Sequence, residues 1–225
     1  MEYVIRSIAE LHEVVTRYDA RYAIYRGLPL TTSGLVPGIG RLRPRSTEFD
    51  SVATESEAFR KFKNRVSERH AVVPTDDWDW LTLAQHHGLP TRLLDWTRNP
   101  LVAAFFAVRG VSIHNRAVAV IPEHLPVVNR SVHTNPLAID EVLKFYPRAL
   151  SGRVPAQHGM FTVHPPPFAA ANEAVRVDWL VIPNENVEDF RWHLSLYGVN
   201  NETLFPDLDG LARHIRWLRY QDDSN

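Results

Sequence analysis

The chain contains no cysteine, which excludes disulfides, thiolate metal sites and a cysteine nucleophile. Lysine is nearly missing as well, with 3 residues against 22 arginines. Arginine's planar fork suits bidentate phosphate and carboxylate contacts, although a GC-rich coding sequence produces the same bias. Excess charge of either sign is absent: the net charge is −1, so the chain is no general polyanion binder. Long apolar runs are absent too. The longest, 101–108, falls far short of the ~20 residues that span a bilayer. The first residues, Met-Glu-Tyr-Val-Ile-Arg, lack a basic region followed by an apolar one. A protein with no membrane partner and a cytoplasmic location is the expectation. What is present is ordinary: 225 residues, 44% hydrophobic and 23% charged, the composition of a globular domain.

Helix and strand signals alternate without a repeat or linker, so the expectation is a single α+β domain over residues 1–225. Ser7 and Glu10 have capping-box spacing ahead of Leu11, Val14, Val15 and Tyr18. A β-rich run covers 22–28, and the Pro-, Gly- and Arg-rich segment 29–50 reads as a long ordered loop. Helices are expected over 55–70 and over 78–87, the second closed by Gly88. Another is expected over 101–108, started by Asn99 and Pro100 and apolar all round, hence buried. Strands are expected over 117–121, 159–164 and 174–182. The remaining helices are expected over 139–150, over 187–197 closed by Gly198, and from a cap at Asp209 to Arg219 with Leu211, Ile215 and Leu218 on one side.

Several familiar sites fail on spacing. Gly34, Gly38 and Gly40 do not form G-x-G-x-x-G, and no Gly-Lys-Ser/Thr follows a glycine loop. G-x-S-x-G is missing. His86 and His87 are adjacent, whereas helical metal pairs stand four apart; no metal site is expected. The dense polar block lies elsewhere: Gln85-His86-His87-Gly88-Leu89-Pro90-Thr91-Arg92-Leu93-Leu94-Asp95-Trp96-Thr97. Singly, each side chain has a structural explanation, such as Asp95 pairing with Arg92. Together, five polar groups between two apolar helices favour a site.

That block, with Tyr25-Arg26-Gly27 and Pro100-Leu101-Val102-Ala103-Ala104-Phe105-Phe106-Ala107, resembles the FRG domain family, named for a Phe-Arg-Gly tripeptide. Two more blocks are similar, Pro155-Ala156-Gln157-His158-Gly159-Met160-Phe161 and Leu204-Phe205-Pro206-Asp207-Leu208. A weaker similarity is to the arginine–serine–glutamate group of ADP-ribosyltransferases. There a first strand carries an Arg, a second a Ser/Thr motif followed by a Pro-x-x-Ala-x-x-Phe-Ala helix, and a third follows a Gln/Glu-x-Glu turn. Arg26, then Asp95-Trp96-Thr97 with the Pro100 helix, then Gln157-His158-Gly159 would be the three parts.

The resemblance implies an ADP-ribosyltransferase-like split β-sheet with flanking helices and NAD as substrate, with no metal. Breaking the nicotinamide–ribose bond builds positive charge on the ribose, as in glycosidases. A carboxylate stabilises that charge and an arginine neutralises the diphosphate. Catalytic roles are therefore expected of Arg26, Asp95, Thr97 and Gln157. Contacts to NAD are expected of Arg26, Gln85, His86, Thr91, Arg92 and Thr97, with Arg26 within reach of Thr97 and the Gln85–His86 turn. Gly159 stands where the transferases carry their Glu, and Asp95 is the expected substitute. The acceptor would be a macromolecule, nucleic acid included, or water. Arg41, Arg43 and Arg45 fit that reading. Two alternatives stay open: a non-catalytic nucleotide- or nucleic-acid-binding module, and a pure interaction domain.

Overall fold

The computed structural model describes residues 1–28, 35–42, 50–66, 74–110, 113–148 and 156–220. The chain begins with β1 (Glu2–Val4) and α1 (Ile8–Val15), then β2 (Ile24–Leu28), α2 (Ser51–Val66) and α3 (Asp77–His86). Next come β3 (Leu93–Thr97), α4 (Pro100–Val108), β4 (Arg116–Ile121), β5 (Leu143–Phe145) and β6 (Gly159–Val163). It ends with α5 (Ala171–Ala174), β7 (Asp178–Ile182), α6 (Val187–Leu196), α7 (Asn201–Leu204) and α8 (Leu208–Arg219). This is an α+β fold around one mixed sheet, ordered β1-β7-β4-β2-β3-β6-β5. Of the strand pairs in this sheet among the described residues, only β1–β7 is parallel.

Local chemistry sets the helix ends. Ser7 accepts from the Glu10 amide and caps α1, while Glu10 reaches back to the Arg6 amide at 2.8 Å. Asp76 caps α3, and Gly88, at φ +82, turns the chain away after its last residues. Asn99 caps α4 with Pro100 in its first turn, and Gly198 at φ +74 follows α6. These positive φ values are where glycine's missing Cβ matters.

The sheet has a weak seam. β2 pairs with β4 at five positions but with β3 at one, Tyr25 opposite Thr97. Beyond that pair β2 and β3 part, dividing the sheet into a β1-β7-β4-β2 half and a β3-β6-β5 half. On one face α1, α4 and α6 cover the first half through Leu11, Ala103, Phe105 and Phe190. On the same face α2 and α3 cover the second half through Phe59, Trp78 and Leu81, against Leu93, Phe161 and Val163. The other face holds Ile24, Leu28, Leu94, Trp96 and Met160. Paired residues of an antiparallel ladder point the same way, so Thr97 shares the α4 face with Tyr25, and Arg26 points to the other.

Several expectations need correction. Of the helix expected over 139–150, the described residues 139–148 are not helical: Ile139, Val142 and Leu143 mimic helical spacing, but Leu143–Phe145 pairs with β6 as an edge strand. Tertiary pairing overrides local periodicity there. The cap of α8 is Asp207, which accepts from the Gly210 amide at 2.8 Å, rather than Asp209. The face of α8 carrying Leu211, Ile215 and Leu218 is exposed, and Gly210 and His214 face inward. β7 starts at Asp178 rather than at 174: Ala174 ends α5, and 175–177 form neither helix nor strand. β1 and α7 had no counterpart in the sequence reading. The helix expected over 55–70 starts earlier, at Ser51; residues 67–70 and most of the 29–50 loop lie outside the described residues. No helix among the described residues is long and apolar enough to cross a membrane.

Candidate functional site

Arg26 leaves β2 where the seam opens and fills the gap. Its Nη1 donates to the Asp95 carbonyl oxygen at 2.7 Å and stands 3.5 Å from Asp95 Oδ2. The Arg26 side chain is 16% exposed and that of Asp95 61%, so the guanidinium is held inside while the carboxylate stays open to a ligand. Burial lowers the Arg26 pKa, Asp95 opposes that shift, and the nearby Arg41 charge adds to it. Two arginines thus bring positive charge to one opening. Arg43 and Arg45 lie outside the described residues.

Asp95 is steadied from α3. Gln85 Nε2 donates to Asp95 Oδ2 at 3.2 Å, and Thr91 Oγ1 donates to Gln85 Oε1 at 2.6 Å. Thr91 also accepts from the Leu93 amide at 3.1 Å. Arg26, Asp95, Gln85 and Thr91 therefore form one hydrogen-bonded chain. His86, exposed at the last residue of α3, lies one residue past Gln85, its ring edge-on to His87 at 5.2 Å.

Thr97 and Gln157 form a separate pair. Thr97 Oγ1 donates to the Gln157 carbonyl at 2.8 Å and accepts from the Asn99 amide at 3.0 Å, tying β3, the turn before β6 and the start of α4 together. The Gln157 amide donates to the Leu204 carbonyl at 3.0 Å. His158, at φ +48, takes a left-handed conformation in that turn, and its carbonyl accepts from the Arg98 amide at 3.3 Å. Thr97 leaves β3 on the α4 face, whereas Arg26 leaves β2 on the other and crosses the seam to reach Asp95.

Arg92 is structural. Its side chain is fully buried, bonded through Nε and Nη2 to Glu55 Oε2 at 2.9 and 2.7 Å and through Nη1 to the Leu137 carbonyl at 3.0 Å. It clamps α2 to β3 and presents nothing to the cleft. The sequence reading also missed His164. Thr162 Oγ1 accepts from Trp96 Nε1 at 2.9 Å and lies 2.8 Å from His164 Nε2. Burial first, and the Arg26 charge second, push His164 down to about 4. Period-two alternation over Met160, Thr162 and His164 was the signal that placed it on the Trp96 face.

Two cavities lie elsewhere, about 300 Å³ near α4, α6 and α8 and about 700 Å³ beside α1, α4 and α6. Neither contains Arg26, Asp95 or Gln85. The hydrogen-bonded chain outranks cavity size as a guide to chemistry, because it joins an open carboxylate to a buried cation. Among the described residues no group of three or more His, Asp or Glu could hold a metal.

An α+β domain with a parted sheet and an arginine–carboxylate pair in the gap is the class these features define. Within it, residues 21–116 match the family model of the FRG domain, and the chain carries an FRG domain there. The match takes in β2, the Gln85–Thr97 block and α4; the blocks near Gln157 and Leu204 lie beyond it. No curated protein and no solved structure matches the chain.

Proposed function

We propose that this FRG domain acts as an ADP-ribosyltransferase-like enzyme, binding NAD at the β2–β3 seam and breaking its nicotinamide–ribose bond. One observation carries the reading. The three parts of the transferase pattern lie on β2, on β3 and at the start of β6, three neighbouring strands, and they touch. Arg26 bonds the Asp95 carbonyl at 2.7 Å, and Thr97 bonds the Gln157 carbonyl at 2.8 Å. Arg26, with Arg41 nearby, would hold the diphosphate by charge-assisted hydrogen bonds. Asp95, oriented by Gln85, would face the positive charge that grows on the ribose. The C–N bond breaks with its electron pair passing to the nicotinamide nitrogen. Water or a macromolecular acceptor, nucleic acid included, then bonds to C1′ and gives up a proton. Thr97 and Gln157 fix the β3–β6 turn that borders this space.

Gly159 favours a second reading, a nucleotide- or nucleic-acid-binding module without chemistry. No carboxylate stands at that position, and losing one preorganised stabilising group typically costs ~10²–10³ in rate. Incubation with NAD labelled in the adenylate moiety separates the two. The enzyme reading requires free nicotinamide, with label either released as ADP-ribose or transferred to protein or nucleic acid, and loss of both in Asp95→Asn. Binding of NAD without nicotinamide release would sink the enzyme reading and leave the module.

A further inference from the structure

We propose that the cavity enclosed by α4, α6 and α8 is a second ligand site, for a nucleoside monophosphate. Its volume is about 300 Å³, at the small end of small-molecule pockets, which run ~300–1,000 Å³. Arg109, Arg191, Arg213 and Arg216 line it, and among the described residues no carboxylate does. Arg191 pairs with Glu188, which is 72% exposed, and Arg213 stands 3.9 Å from Asp209, which is 81% exposed.

The cations are held in place. Arg191 Nε donates to the Val108 carbonyl at 2.7 Å and Nη2 to the Gly110 carbonyl at 2.6 Å. The guanidinium groups of Arg109 and Arg213 both lie over the Phe205 ring, 4.8 and 5.5 Å from its centroid. Guanidinium forks match phosphate oxygens and bond them in pairs. The rest of the lining suits a heterocycle. Trp217 stacks on His214, ring centroids 6.0 Å apart and 18° from parallel, and lies 6.2 Å from Trp192; such aromatic surface is what a base stacks on. Phe105, Val108 and Val199 add apolar surface. Two lining residues, His214 and Asn201, carry buried polar atoms, Nδ1 and Oδ1, with no hydrogen-bond partner among the described residues. Buried polar groups are rarely left so, and ring or ribose groups of a nucleotide would satisfy them. The cavity shares no residue with the Arg26 chain, so this site stands or falls separately from the seam.

The test is calorimetric titration of the full chain with AMP, inorganic phosphate and adenosine in turn. AMP should bind one to one, and at least about tenfold more tightly than either fragment. The double variant Arg213→Gln/Arg216→Gln should lose about tenfold or more in AMP affinity, while Arg26→Gln leaves it unchanged. If the double variant melts lower than the parent, Arg216→Gln alone, altering an exposed side chain, carries the comparison. No heat with AMP at about 1 mM, phosphate binding as tight as AMP, an unaltered double variant, or loss confined to Arg26→Gln would each overturn the proposal.

Discussion

Arg26 and His164 illustrate how one buried cation sets its surroundings. Thr162 Oγ1 accepts from Trp96 Nε1 and lies 2.8 Å from His164 Nε2, where its hydroxyl proton can go to a neutral ring. Burial and the Arg26 charge act in the same direction and bring His164 down to about 4 from 6.5. An unfolded chain takes up this proton near pH 6.5 and the folded chain only near 4. Stability from this group is therefore complete above pH 6.5 and falls as pH drops toward 4, by up to about 3 kcal/mol. Denaturant titrations across that window should show His164→Gln losing most of that pH dependence. An unchanged slope in the variant would mean that His164 titrates normally in the fold. Asp95 invites a second test at this scale. Gln85→Ala removes its α3 partner at an accessible position, so stability should change by less than about 1 kcal/mol, while nicotinamide release from NAD drops.

The glycine of Tyr25-Arg26-Gly27 belongs to the packing of α4. A Cβ there would lie against the backbone of α4, in contact with the Ala103 carbonyl and the Ala107 amide and 2.9 Å from the Phe106 carbonyl carbon. Backbone cannot rotate aside, so Gly27→Ala must displace α4 from β2, a change of the kind that costs ~1–3 kcal/mol or more. A midpoint shift below ~0.5 kcal/mol would show that α4 yields freely. Within α4, Phe105 is the buried ring and Phe106 is half-buried. Phe105→Ala should therefore cost ~3–5 kcal/mol, and Phe106→Ala less. Elements with chemical end signals were legible in the sequence: α3 before Gly88, α4 at Asn99–Pro100, α6 before Gly198. Elements made by partners were not. β5 exists because β6 lies beside it, and β1 is three residues docked parallel on β7. Arg92 was misplaced for the same reason, since its partner Glu55 is 37 residues away. The Arg26–Asp95–Gln85–Thr91 chain was legible because its members crowd one short block and one strand. That Thr97 and Arg26 leave their strands on opposite faces was invisible until the register between β2 and β3 was known.

At the scale of the whole molecule, the seam sets the two halves of the sheet apart and leaves a polar opening between two apolar layers. Arg26 crosses it, α4 anchors one side through Gly27, and the Arg92–Glu55 clamp stiffens the other. The central claim is that this opening receives the diphosphate of NAD. Isothermal titration of the chain with NAD, against Arg26→Lys, tests it most directly. An ammonium retains the charge but cannot bond the Asp95 carbonyl, face its carboxylate and fork a phosphate together. NAD should bind the parent chain and bind Arg26→Lys about tenfold or more weakly. No binding by the parent at about 1 mM NAD, or equal binding by the two chains, would contradict the claim.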